Sequence, residues 1–286
     1  MKRKEYRKKE TRTAWLFLAP SLVGITVLIL LPFADAVRRS FYDAMGRKFV
    51  SLNNYQTVIH NKAFLLAAGN TGRFLLTCIP LLIVFSLLLS LLSYGRRSGS
   101  FFKTIFLVPM AIPVACVALL WQVFFHENGL INHGLLMMHR NPVDFMGTSR
   151  AFYVLVFSYL WKNTGYDMVL WNSGLSSISS ALYEAASLDG AGTWKKFRYI
   201  TMPGLLPTLS VTVILSFVNS FKVFREAYLI AGGYPQDSIY MLQHLFNNWF
   251  IALDLQKMCA AAVMIAACFV IFVLLIRRLD SKEVEE

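Results

Sequence analysis

The sequence contains no Gly-Lys pair, and so no Gly-x-x-x-x-Gly-Lys-Ser/Thr segment. It therefore carries no phosphate cradle of the P-loop type. Neither His-Glu-x-x-His nor Gly-x-Ser-x-Gly occurs, which leaves no sequence basis for a zinc peptidase or a serine-hydrolase elbow. Histidine is scarce: His60, His126, His133, His139 and His244 all fall in expected outer loops or at helix ends, where they read as solvated. The four cysteines, Cys78, Cys116, Cys259 and Cys268, lie within apolar runs. They read as small core residues, not as a disulfide framework or a metal set. Charge is thin at 15% of residues, and acidic charge thinner, with 16 Asp and Glu against 28 Lys and Arg.

What is abundant is apolar surface. Hydrophobic residues make up 56% of the chain, and the mean hydropathy is +0.52. Soluble domains rarely reach this. A helix needs about 20 apolar residues to cross the hydrocarbon core, and a backbone in lipid must satisfy its polar groups within its own segment. The reading is an all-α integral membrane protein with six transmembrane helices, over about 14–37, 74–94, 104–125, 151–177, 204–231 and 256–276. A basic tail (1–13), a single membrane domain (14–278) with an inner loop at 180–203, and a second tail (279–286) complete the expected organisation. Pro109 and Pro113 should kink the third span.

The net charge of +12 follows the membrane ends and does not mark a nucleic-acid partner. With both termini inside, the inner segments hold 16 Lys and Arg against nine in the longer outer segments. The positive-inside rule thus supports N-in and C-in, and puts residues 180–203 in the cytoplasm. The basic start followed by an apolar run reads as a retained first helix, because the run is longer than a cleavable signal and no small-x-small site follows it.

That inner loop is the most specific stretch. It reads Glu184-Ala-Ala, then Gly190, Ile200 and Pro203 at fixed intervals. Ser179 and Ser180 can cap a short helix beginning near Ala181, and Gly190 and Gly192 should break it. Thr193 can cap a second helix of Trp194, Phe197 and Ile200 that Pro203 ends. The spacing resembles the EAA loop of bacterial ATP-binding-cassette (ABC) importer permeases, with Met202 where that family usually has Leu. Further stretches are similar to carbohydrate-type permeases: Asn53-Asn-Tyr55, Asn70-Thr71, Phe106 to Pro113, Trp121, Gly129 to Asn132 and Gly232-Gly-Tyr-Pro235. The order is similar to the first of the two permease subunits of sugar importers. The resemblance implies that Glu184, Ala185, Ala186, Asp189, Gly190, Phe197, Ile200 and Pro203 form a knob seated in a cleft of an ATPase subunit. An ordinary amphipathic loop on lipid headgroups is the plainer reading of Lys195, Lys196 and Arg198.

Charges within a span cost at least about 2.5 kcal/mol at a helix centre and default to functional candidates. Trp161, Asn163 and Tyr166 on the fourth span, with Asn219, Ser220 and Lys222 on the fifth, supply the amide, hydroxyl, aromatic and cationic groups a sugar path wants. Interhelical hydrogen bonding explains the same residues equally well. Lys222 and Glu226, four apart, could pair, and Arg225 could reach a neighbouring subunit. The two cations also suit an anionic solute such as a phosphorylated or acidic sugar.

The sequence thus reads as the membrane-spanning subunit of an ABC importer of a carbohydrate or similar small polar solute, multi-pass in the bacterial cell membrane. The resemblance implies a second homologous permease, two ATPase subunits and an extracytoplasmic solute-binding protein as partners. It implies no cofactor on this chain and no catalysis by it, with ATP and Mg used by the ATPases. An ion-coupled secondary transporter or channel is the alternative, resting on Asp167 and Glu226; a membrane enzyme would need a convergent His/Asp/Ser set.

Overall fold

The computed structural model describes residues 15–96 and 99–283. The basic tail at 1–13 and the last three residues of the 279–286 tail lie outside the described residues. The described chain is helical, without a strand; Tyr42 and Phe49 form one isolated bridge. Among the described residues five helices are long and apolar enough to cross a membrane: Trp15–Ser40 (α1), Lys62–Ser93 (α3), Val114–Met137, Leu206–Ala231 and Leu255–Arg278. The 27-residue helix Ala151–Ser177 (α7) has the length but is less apolar, because it carries Lys162, Asn163, Asp167 and Asn172.

The expected third span is two helices, Gly99–Ala111 (α4) and Val114–Phe125 (α5). Pro109 is tolerated inside α4. Pro113 is extended, with ψ 141°, and starts α5 as its N-cap. A proline has no N–H to give and crowds the preceding turn, so the chain breaks there. The apolar run then continues past the expected boundary through Leu130–Met137 (α6).

The chain divides into two compact units. One combines the residues up to Asn61 with Trp249–Phe269. Here the end of α1 meets a short helix, Asn53–Ile59 (α2). Asn54 Nδ2 donates to the carbonyls of Ser40 and Tyr42 at 2.9 and 2.8 Å, which answers acceptors left open at the helix end. Ser40 Oγ and Tyr55 OH lie 2.6 Å apart. The Asn-Asn-Tyr stretch is therefore a clasp on the exit of α1. In the intervening turn Asp43 accepts from the backbone N–H groups of Arg47 and Lys48, which hold its carboxyl below the usual carboxylate range.

The other unit contains Lys62–Asn248 and the end of the last helix, Leu255–Glu283. Helix α7 is its centre and packs on α3, α4 and Leu206–Ser220 (α10). Phe74, Cys78 and Leu82 of α3 meet Phe152, Leu155 and Tyr159 of α7 in one buried cluster. Further along, a polar ladder joins the same two helices. Trp171 Nε1 donates to Ser86 Oγ at 2.9 Å, Ser90 Oγ donates to the Met168 carbonyl at 3.1 Å, and Tyr94 OH donates to the Leu175 carbonyl at 3.2 Å. Serines allow close approach and supply hydrogen bonds where lipid offers none. Helix α4 comes nearest at Gly165, where an added Cβ would collide with the Phe106 backbone.

Asn70 and Thr71 hold the turn at 237–242. Asn70 Nδ2 donates to the carbonyls of Asp237 and Tyr240, and Thr71 Oγ1 accepts from the Leu242 N–H at 3.1 Å. Beyond them, in Leu242–Ile251 (α12), His244 is fully buried, against the expectation that it is solvated. Phe224 and Tyr240 flank its ring, and Nδ1 accepts from the Met241 N–H. Burial pushes its pKa down to about 4.

Two outcomes follow. Gly165→Ala should lower the thermal midpoint of the purified protein, since overpacking against backbone costs about 1–3 kcal/mol. Gly69→Ala, whose added Cβ meets nothing within 4 Å, should not lower it. The unfolded chain takes up a proton at His244 at higher pH than the folded one. Stability from the neutral ring is therefore complete above about pH 6.5 and is lost as pH falls toward about 4. Thermal scans across that interval should show a shallower acid decline for His244→Phe.

Candidate functional site

Two features stand out, a surface knob and a cavity between helices, both within the larger unit. The knob starts with Ser180–Leu188 (α8), which has no buried residue. Ser179 is its N-cap, though its side chain makes no capping bond. At the other end Asp189 is the C-cap, and Gly190 has φ +72°. The Ala191 N–H donates to the Ala186 carbonyl at 2.8 Å, and the Gly190 N–H to the Ser187 carbonyl at 3.1 Å. This pair of bonds is a Schellman turn, whose left-handed residue is best supplied by glycine.

A second helix, Thr193–Lys196 (α9), follows. Its N-cap is Gly192, and Thr193 is already inside it, so the expected Thr193 cap is displaced by one residue. Pro203 does not end this helix. The chain widens into a π turn at Phe197–Thr201, passes through Met202–Gly204, and bends only at Leu205 before α10. Pro203 sits in the first turn after the widened one, a position a residue without an N–H tolerates. Tyr183 OH and Thr201 Oγ1 are 2.9 Å apart, and Lys196 Nζ donates to Ser187 Oγ at 2.6 Å, so the two arms are tied.

The tied arms turn large apolar groups outward. Leu188 is 90% exposed, Trp194 73% and Tyr199 75%. Glu184, Ala185 and Asp189 are exposed as well, Ala186 and Ile200 half-buried, and Phe197 lies against Trp194 with ring centroids 5.6 Å apart. Such a surface, apolar at its tip and basic at Lys195 and Arg198, suits a protein cleft.

The cavity, of about 240 Å³, lies between α7, α10 and Phe224–Ala231 (α11), with Met110 and Val114 at the α4–α5 break on its wall. It gathers Asn163, Asn219 and Lys222 of the expected path. Trp161 and Tyr166 do not line it: Trp161 packs on Trp121 with centroids 5.3 Å apart. Ser220 is buried and donates to the Phe217 carbonyl. Tyr159, one helical turn before Asn163, also lines it, as does Ser158, which sequence reasoning did not place there although 158 and 162 share one helical face. The Asn163 amide donates to the Tyr159 carbonyl at 2.8 Å.

The electrostatics differ from the simple i,i+4 pairing. Glu226 bonds Lys162 across helices, Nζ to Oε1 at 2.5 Å, with the glutamate side chain buried. Lys222 instead donates to Asn219 Oδ1 at 2.7 Å. The reason is the 3₁₀ turn at Phe221–Val223, which breaks the α register between 222 and 226. Nearby, Asp167 Oδ2 accepts from Ser216 Oγ at 2.8 Å, and Tyr159 OH donates to the Ser216 carbonyl at 2.8 Å. Both carboxylates are thus engaged with neighbouring helices. Among the described residues no three His, Cys, Asp or Glu gather as metal ligands would.

The model of the binding-protein-dependent transport system inner membrane component matches residues 75–283, which include the knob and the cavity. The chain belongs to this family. It is a multi-pass inner-membrane permease subunit of an ABC transport system, and not an enzyme. This permease is 30% identical to the trehalose/maltose transport system permease protein MalF of Thermococcus litoralis, over 85% of this chain and 84% of that one. It is 29% identical to the sn-glycerol-3-phosphate transport system permease protein UgpA of Escherichia coli (strain UTI89 / UPEC), over 95% and 96%. In fold it is similar to a chain of a bacterial ABC transporter involved in the import of the acidic polysaccharide alginate, with TM-score 0.80, 20% identity, and coverage of 98% and 99%.

Removing one member of a buried pair costs about 3–5 kcal/mol, whereas replacing both by apolar groups is often neutral. Glu226→Met and Lys162→Met should each lower the permease's thermal midpoint, and the double variant should recover most of the loss in a double-mutant cycle.

Proposed function

We propose that this permease is the membrane-spanning subunit through which an ATP-driven importer takes up a carbohydrate or a similar small polar solute. Both termini and the 180–203 knob face the cytoplasm, and six helices cross the bilayer, α7 being the crossing that composition alone underrates. At 1.5 Å per residue its 27 residues span about 40 Å, more than the roughly 30 Å of hydrocarbon. A second homologous permease, two ATPase subunits and an extracytoplasmic solute-binding protein complete the assembly. A solved relative in fold is described as an alginate ABC transporter in complex with an alginate-bound periplasmic protein, which supports the last of these. ATP and Mg are used by the ATPases, and this chain binds no cofactor.

The observation that carries the reading is the knob. Its tip is built by a turn that needs Gly190, its two arms are tied by side chains, and its apolar groups have no cover. Closure of the ATPases pushes the knob, and α7 and α10, which flank it in sequence, carry the push to the cavity. There Asn163, Asn219, Lys222, Ser158 and Tyr159 offer the mix of amide, hydroxyl and cation that a polyol requires. The sugar transport named for several relatives supports the same solute class. An ion-coupled alternative would rest on Asp167 and Glu226, each of which bonds a neighbouring helix through one carboxylate oxygen.

Gly190→Val should strain the left-handed turn by about 1–2 kcal/mol and abolish ATP-dependent uptake, and Glu184→Arg should also release the ATPase on co-purification. Normal uptake by both variants, at normal expression, would refute the coupling role.

A further inference from the structure

The cavity's charges are unequal. Glu226 supplies the one carboxylate on its wall, against three cations, Lys162, Lys222 and Arg225. Lys162 neutralises Glu226 directly through the 2.5 Å bond. Lys222 meets only a neutral amide oxygen, that of Asn219. The Arg225 side chain makes no hydrogen bond or ion pair among the described residues, and both of these cations are exposed. Asp167, the nearest other acid on α7, is fully buried, bonded to Ser216, and does not line the space. Two positive charges are therefore uncompensated on the wall.

A second observation concerns the glutamate itself. Glu226 is 3% exposed, and its Oε2 has no partner. A buried carboxylate oxygen left unpaired is costly and asks for a donor. A hydroxyl is such a donor. A fully deprotonated inorganic anion such as sulfate offers no hydroxyl for this oxygen, inorganic phosphate offers no carbon face for Met110 and Val114, and a neutral sugar leaves both cations unanswered.

Resting on the importer reading above, we infer that the solute taken through this cavity is an anionic polyol: a sugar acid or a phosphorylated sugar or glycerol. Lys222 and Arg225 hold its carboxylate or phosphate, the arginine with its planar fork. Glu226 Oε2, Ser158 and Asn163 take its hydroxyls, with Met110 and Val114 against its carbon face. The excess positive charge raises the local concentration of anions in a low-dielectric cleft.

The first test measures the cavity's potential without needing the solute. In a variant with Cys78, Cys116, Cys259 and Cys268 replaced by alanine, Asn163→Cys is introduced, and the protein is kept assembled in membranes. Its reaction rates with an anionic and a cationic methanethiosulfonate are compared, each normalised to a small free thiol. The anionic reagent should be favoured about tenfold, and adding Lys222→Gln and Arg225→Gln should remove the preference. A preference for the cationic reagent, or none, overturns the inference.

The second test follows ATP-dependent uptake of glycerol 3-phosphate, galacturonate and maltose by the complete transporter. The inference expects the acids to exceed maltose, and the double glutamine variant to lose acid uptake about tenfold while ATP hydrolysis persists. Uptake of maltose in preference to both acids overturns the inference and leaves the importer reading standing. Absence of ATP-dependent uptake of all three refutes that reading, and the inference with it. A loss of complex assembly in the double variant would assign the two cations to a subunit contact and overturn the inference as well.

Discussion

Helix α7 holds the larger unit together because its neighbours answer its polar side chains. Lys162 has Glu226 of α11, Asp167 has Ser216 of α10, and Trp171 and Asn172 have the serines of α3. In hydrocarbon none of these groups could be left to water. The helix is therefore fixed in rotation and depth by polar bonds, and its apolar contacts fill in around them. This also explains why α7 fails a simple apolarity criterion while being the most thoroughly buried helix of the unit.

The fold was legible where a single physical rule governed. Long uncharged runs gave the helices, and the intervals in 184–203 gave the knob, because a Schellman turn admits few residues but glycine at position 190. Legibility failed where two rules competed. Pro109 and Pro113 were both visible, yet α4 absorbs the first and breaks at the second, a choice made by packing that no local pattern encodes. The Lys222–Glu226 spacing was right for a helix and wrong for the 3₁₀ turn between them. His244 looked like a loop residue, and only the fold of the segment after Ala231 encloses it between Phe224 and Tyr240. Within the cavity, Asn163, Asn219 and Lys222 were recognisable by type. Ser158 was not, because a hydroxyl on a membrane helix serves packing as readily as solute.

The knob and the cavity use the same helices. Helix α7 runs from the cavity wall to the turn before α8, and α9 returns through an almost unbroken helix into α10, which reaches the cavity again at Asn219. The Gly165 contact with the Phe106 backbone and the Asp167–Ser216 bond restrict sliding of α4 and α10 against α7. A displacement at the tip would therefore be carried by whole helices.

The π turn at Phe197–Thr201 has one consequence for how this stretch tolerates change in length. Each residue of an α-helix advances the azimuth by about 100°, so one extra residue in the widened turn sets the phase between the Trp194 face and the α10 face that meets α7. Loss of a single residue here would leave every remaining side chain chemically intact, yet aim the Trp194 face a quarter-turn or more away. The segment is thus constrained as a spacer of fixed count, independently of which residues fill it.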